Sequence, residues 1–150
     1  MKQPGLPRIL LIASLSALAI YVVGYTWMYH RQTRLGPWEV TFTTLTNTPA
    51  IVINQPRLGI QGVQVAFVGA SVASNVFQTL RFDRPKPWPY DVPFGRCIFM
   101  DTMILPGNVT LELFGHEVQL LPRTLTLDRR EFKWTGTTNI VAGELRPAGQ

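Results

Sequence analysis

A mainly β fold behind one membrane-spanning helix is the architecture this sequence predicts, and three observations carry the prediction. Ile9 to Tyr29 contains no charged residue. From Trp38 onward, short runs rich in Val, Ile, Thr and Phe alternate apolar with polar residues. Pro and Gly break those runs at close intervals, as turns between strands require.

The apolar stretch ILLIASLSALAIYVVGYTWMY is long enough to cross a hydrocarbon core, which needs roughly 20 mostly apolar residues in a helix. The predicted span runs from Ile9 through Ala13, Ala17 and Gly24 to Trp27 and Tyr29. Lys2 and Arg8 flank it on one side, Arg31 and Arg34 on the other. Tyr21, Tyr25, Trp27 and Tyr29 crowd its C-terminal end, and such rings favour the membrane–water boundary. A cleaved signal peptide would use Ala17-Leu18-Ala19 as its site, but Ile20 to Val23 continue the apolar run past it. A buried core helix rarely stays apolar on every face for this length. An uncleaved anchor is therefore expected, preceded by a short leader (1–8) and followed by a linker (30–37).

Counting Lys and Arg near the span's ends gives almost a tie, so the short basic leader and long C-terminal region decide the expected orientation. They favour the N-terminus inside and the β domain outside. Ala13, Ala17, Ile20 and Gly24 share one helical face, and small residues there would let a second helix approach closely. Membrane lipid is the first expected partner; a protein partner or a second copy of the chain is the next.

Charge argues against nucleic acid. The chain carries a net +5, but four basic residues flank the span, and positions 36–150 hold ten Lys/Arg against nine acids, a net +1. A nucleic-acid module needs a basic stripe that neutralises several phosphates. Arg129, Arg130 and Lys133, with Arg123 nearby, form one local excess. Its plain reading is a solvated strand end; the sharper one is a patch facing lipid headgroups.

An antiparallel β-sandwich is expected over 38–147, with a tail at 148–150. Gly36-Pro37 marks the departure from the helix. Trp38–Thr43 alternates, Thr46–Pro49 is turn-prone, Ala50–Ile53 reads as a buried strand, and Val63–Val68 resumes the period of two. Ile98–Leu105, Val109–Phe114, Val118–Leu121 and Thr124–Leu127 read as a four-stranded meander, with Pro106-Gly107 fitting a type II turn. Across 70–82, Val72, Val76, Phe77 and Leu80 match a helical face, so a short helix over 72–80 is expected. From Arg84 to Gly95 the prolines hold the backbone extended and exclude a central strand. Its aromatics Trp88, Tyr90 and Phe94 either cap the sandwich or form a rigid recognition loop.

No catalytic constellation, metal site or cofactor site is expected. His116 follows Gly115 and reads as a surface turn residue, without the partner ligands a metal needs. Asp101 and Glu112 would face each other only if their strands paired across Pro106-Gly107. Cys97, beside Ile98 and Phe99, reads as a buried inert thiol that cannot form an intrachain disulfide. Gly59-Ile60-Gln61-Gly62 lacks a phosphate-cradling pattern. Asn108-Val109-Thr110 is a glycosylation sequon in ordinary turn chemistry. The expected function is a non-enzymatic accessory or scaffolding subunit of a membrane assembly. A tethered binding module for sugar, peptide or lipid, using loop 84–95, is the alternative. A hydrolase using Asp101, Glu112 and His116 is the third reading.

Overall fold

A computed structural model describes residues 5–32, 35–135 and 139–143. The chain divides into two compact units, 1–34 and 35–150.

The first unit is α1 (Leu6–Gln32), about 40 Å long at 1.5 Å per residue. Pro7 sits in the first turn, where a missing N–H costs nothing, and the Arg8 amide bonds the Gly5 carbonyl at 2.8 Å. His30 and Arg31 occupy the last turn, the end where cations suit the helix dipole. Leu10, Leu15, Leu18, Ile20, Val23 and Tyr25 are all more than half exposed, so α1 is apolar all round and leaves that surface uncovered within its own unit. It is long and apolar enough to cross a membrane. The helix is longer than the uncharged run of the sequence, reaching three residues past Tyr29.

The second unit is a two-sheet sandwich. Its strands are β1 (Trp38–Leu45), β2 (Thr48–Gln55), β3 (Ile60–Phe67), β4 (Phe77–Phe82), β5 (Tyr90–Val92), β6 (Gly95–Met100), β7 (Val109–Leu113), β8 (His116–Leu120), β9 (Thr124–Leu127), β10 (Arg130–Lys133) and β11 (Asn139–Ala142). One sheet runs β11-β3-β2-β1-β4, the other β10-β9-β8-β7-β6-β5. The second sheet is antiparallel throughout and contains the expected meander as β6 to β9. The first has one parallel pair, β11 with β3, so the sandwich is not wholly antiparallel.

Period-two burial builds a single core from both sheets. Trp38, Val40 and Phe42 of β1 point inward with Ile51 and Ile53 of β2, facing Leu111, Leu113, Val118, Leu120 and Leu125. A register shift between Cys97 and Phe99 lets Cys97 and Met100, three residues apart, both turn inward. Hairpins β1–β2, β7–β8 and β9–β10 turn on Thr46-Asn47, Phe114-Gly115 and Asp128-Arg129, each pair with positive φ at both positions. That is the turn geometry whose twist matches the flanking strands.

Three local expectations are corrected. The short helix over 72–80 does not form: 70–76 is loop, and Phe77–Phe82 is edge strand β4, paired with β1. Its pairing with β1 satisfies the backbone, and a short amphipathic run follows whichever neighbour supplies hydrogen bonds. Strand β6 ends at Met100, so 101–105 belongs to a loop. Pro106-Gly107 is not a type II turn, because Gly107 lacks the positive φ that turn requires. It needs to be glycine for another reason: a Cβ there would collide with the Asp101 carbonyl oxygen. β5 lies at a sheet edge, where a proline-bordered strand is tolerated.

Candidate functional site

Strand register assigns every loop to one of two ends of the sandwich. The root end holds Trp38, where the chain enters the domain. Trp38 pairs with Phe82, which brings loop 83–89 to the root; Met100 pairs with Val109 and Val109 with Leu120, which brings loops 101–108 and 121–123 there too. Cross-sheet contacts agree. The Trp38 Nε1–H donates to the Gly107 carbonyl at 2.6 Å, and the Trp38 and Trp134 rings lie 5.4 Å apart. Trp134 in turn donates to the Leu121 carbonyl at 2.8 Å. Buried Gln55 closes this end by donating to the Gly36 and Pro37 carbonyls at 2.9 and 3.1 Å.

The sequence-predicted interaction residues separate between the two ends. Trp88 is at the root, 53% exposed, with its ring 5.6 Å from that of Phe99. Tyr90 is partly buried against the core, with its hydroxyl 3.6 Å from Met100 Sδ and the Lys86 ammonium 5.1 Å from its ring. Burial, with Cys97 adding to it, pushes the Tyr90 hydroxyl above its ordinary range. Phe94 is at the far end, packed between Phe42 and Phe114 at ring distances of 5.7 and 5.2 Å. The three aromatic rings of the proline-rich segment therefore do not lie together. Arg129 and Arg130 are exposed at the far-end β9–β10 turn, whereas Lys133 lies at the root beside Arg123. Lys133 and Arg123 border a shallow cleft floored by Leu58, Ile60, Pro122 and Trp134.

Along α1, Ile9, Ala13, Ala17, Gly24, Trp27 and Tyr29 are exposed, with Tyr21, Tyr25 and Tyr29 stacked in turn. The Arg31 guanidinium sits 5.1 Å over the Trp27 ring, and Arg8 is exposed in the first turn. Lys2 and Arg34 lie outside the described residues.

The residues weighed for chemistry do not converge. Asp101 accepts the Met103 amide at 2.9 Å at the root. Glu112 forms a 3.0 Å ion pair with Arg96 in the far half. His116 corrects the expectation of a surface turn residue: it is 5% exposed, held 2.6 Å from Asp128 Oδ2 and packed on the Phe67 ring at 5.9 Å. Asp128 Oδ1 accepts the Glu117 amide at 3.0 Å, so this carboxylate fastens the β9–β10 turn to β8. The signal was present in the sequence, since His116, Val118 and Leu120 share a period-two face. Among the described residues, His116 hydrogen-bonds no Ser, Thr or Cys, and no three metal-ligating side chains cluster. Cys97 is fully buried, its thiol 3.4 Å from the Phe99 carbonyl. Burial raises its pKa, against weaker opposing pulls from Tyr90, that carbonyl and Lys86.

Other surface features had no sequence signal. Met103 and Ile104 are 76% and 62% exposed on root loop 101–108, and Phe77 is 81% exposed on edge strand β4. No family model, curated protein or solved structure matches the chain.

Proposed function

We propose that this chain is a single-pass, membrane-anchored β-sandwich protein acting as a non-enzymatic accessory or scaffolding subunit, with its N-terminus inside and the sandwich outside. One contrast carries the reading: α1 exposes apolar residues on every face, whereas the sandwich buries its own in a single core. Exposed apolar surface of that extent is stable only when something other than water covers it. Edge strand β4 supports a protein-binding role for the head, because it presents Phe77 on an edge that no further strand covers among the described residues, a template for a partner strand.

The alternative, ligand binding through loop 84–95, is weakened because Tyr90 and Phe94 pack on the core. Three measurements test the main reading. Alkaline carbonate should leave the full-length chain in the membrane pellet, and protease added outside intact cells should remove the sandwich. Affinity purification in mild detergent should recover a partner or a second copy, and Phe77→Lys should lose it. An isolated monomer would overturn the scaffolding role. If Ala17→Leu with Gly24→Leu also releases the bound chain, the small-residue face of α1 takes part in the association.

A further inference from the structure

We propose that the root end of the sandwich docks onto anionic lipid headgroups of the membrane that holds α1, with the tip of loop 101–108 entering the interfacial layer. This rests on the anchored reading above. Three features of the domain point to it.

Covalent reach comes first. Five residues, and so six Cα–Cα steps, separate Gln32 from Trp38, and at about 3.6 Å per step the chain cannot carry Trp38 further than roughly 22 Å from the helix end. The root thus remains close to a bilayer in which α1 is embedded.

Charge comes second. The root half carries six cations, Arg57, Arg81, Arg84, Lys86, Arg123 and Lys133, against Glu39, Asp83 and Asp101, a net +3. Among the described residues, only Arg81 of the six is in an ion pair, with Glu39 at 3.2 Å. The far half carries Arg96, Arg129 and Arg130 against five acids, a net −2. A domain that is almost neutral overall is therefore polarised along its strands. Its positive pole is the one chain connectivity holds near the headgroups, where basic groups gain from anionic lipid.

Shape comes third. Loop 101–108 is pinned at its base, by the Asp101 amide on the Asn108 carbonyl at 2.8 Å and by Trp38 on Gly107. Its tip nevertheless presents Met103 and Ile104 to solvent. Trp88 stands exposed on the neighbouring root loop, flanked in sequence by Lys86 and Arg84. Apolar tips and an amphipathic ring among cations form the composition that settles at a membrane interface. A protein partner for these residues is the competing occupant. Charge favours lipid, because the exposed apolar residues of the far end (Phe77, Val68 and Leu45) lack the positive surplus.

The test uses the full-length chain in phosphatidylcholine vesicles, with and without phosphatidylglycerol. A spin label is placed singly through Met103→Cys at the root tip, Ser74→Cys on the far-end loop, or Ile12→Cys in α1; buried Cys97 takes no label. Docking predicts that the label at 103 loses collisions with aqueous nickel reagent and gains collisions with oxygen when phosphatidylglycerol is present, while the label at 74 remains aqueous. Arg84→Glu with Arg123→Glu, both on exposed loops, should return position 103 to water. A label at 103 as wet as that at 74, with position 12 in lipid, overturns docking and leaves the anchor standing. Water at position 12 overturns the anchored reading itself. A label at 103 shielded only in native membranes, and not in pure vesicles, overturns lipid in favour of a protein occupant.

Discussion

The two ends of the sandwich are built from similar material and use it differently. At the far end the aromatic rings turn inward: Phe42, Phe94, Phe114, Phe67 and His116 pack in that order as a chain of ring contacts, and Asp128 fastens the turn above them. At the root, Trp38 and Trp134 supply the inward packing, while Trp88, Met103 and Ile104 remain outside. The far end bears the acidic surplus and the root the basic one. What separates them is their connections: hairpins with two-residue turns close much of the far end, whereas the root carries the chain entry and the longer loops. Longer loops have spare residues that no ladder obliges to face the core.

The largest expected effect strikes the root's inward anchor. Trp38→Ala should cost about 3–5 kcal/mol, as large aromatic truncations in cores do, read from the denaturant midpoint of the full-length chain in detergent. A loss below about 1 kcal/mol would mean that the root is not held by this ring. Trp38→Phe keeps an aromatic ring but leaves a gap and takes the donor from the Gly107 carbonyl, the latter alone costing about 1–3 kcal/mol. It should also loosen loop 101–108, seen as faster amide exchange there and unchanged exchange at the far end.

The far-end counterpart is Asp128→Ala, which removes the acceptor of both His116 and the Glu117 amide. We expect a loss of about 1–3 kcal/mol, with exchange rising around 114–118 and 128–130 only. If both ends loosened together, the division between them would be wrong.

Cys97 and Tyr90 give a pH-dependent test of the core between the ends. Both are acids whose folded pKa values are raised by burial. The folded state therefore holds its protons longer than the unfolded state. Their stabilisation is fully present below the unfolded values and is lost as pH rises through the folded ones. Stability should accordingly decline above the ordinary thiol range, near about 8.5, and Cys97→Ala should remove the first part of that decline. Native Cys97 should also resist thiol reagents at neutral pH until denaturant is added. The smallest effect belongs to the exposed Arg96–Glu112 pair: Arg96→Ala should cost less than about 1 kcal/mol.

The apolar span, the strand-built domain and the meander from β6 to β9 were legible in the chain. Each of these is a local pattern: uncharged length for the helix, period two for Trp38–Thr43 and Val109–Phe114, and Pro or Gly at breaks. The sequence also marked Cys97 as buried, and period two along β8 could have revealed His116. The remainder came from pairing between distant segments. Strand β4 took its form from its partner β1, and the bulge at Cys97–Phe99 turned Cys97 and Met100 to the same side. Trp88, Tyr90 and Phe94, six residues apart in all, were separated because strand β5 carries the chain from the root loop to the far-end turn. The polarity of charge arose in the same way, since residues scattered from Arg57 to Lys133 share an end only through register. Hydrophobic periodicity reports which face of a strand is inside; which end of the sheet a loop occupies depends on pairing between distant segments, and no local pattern encodes it.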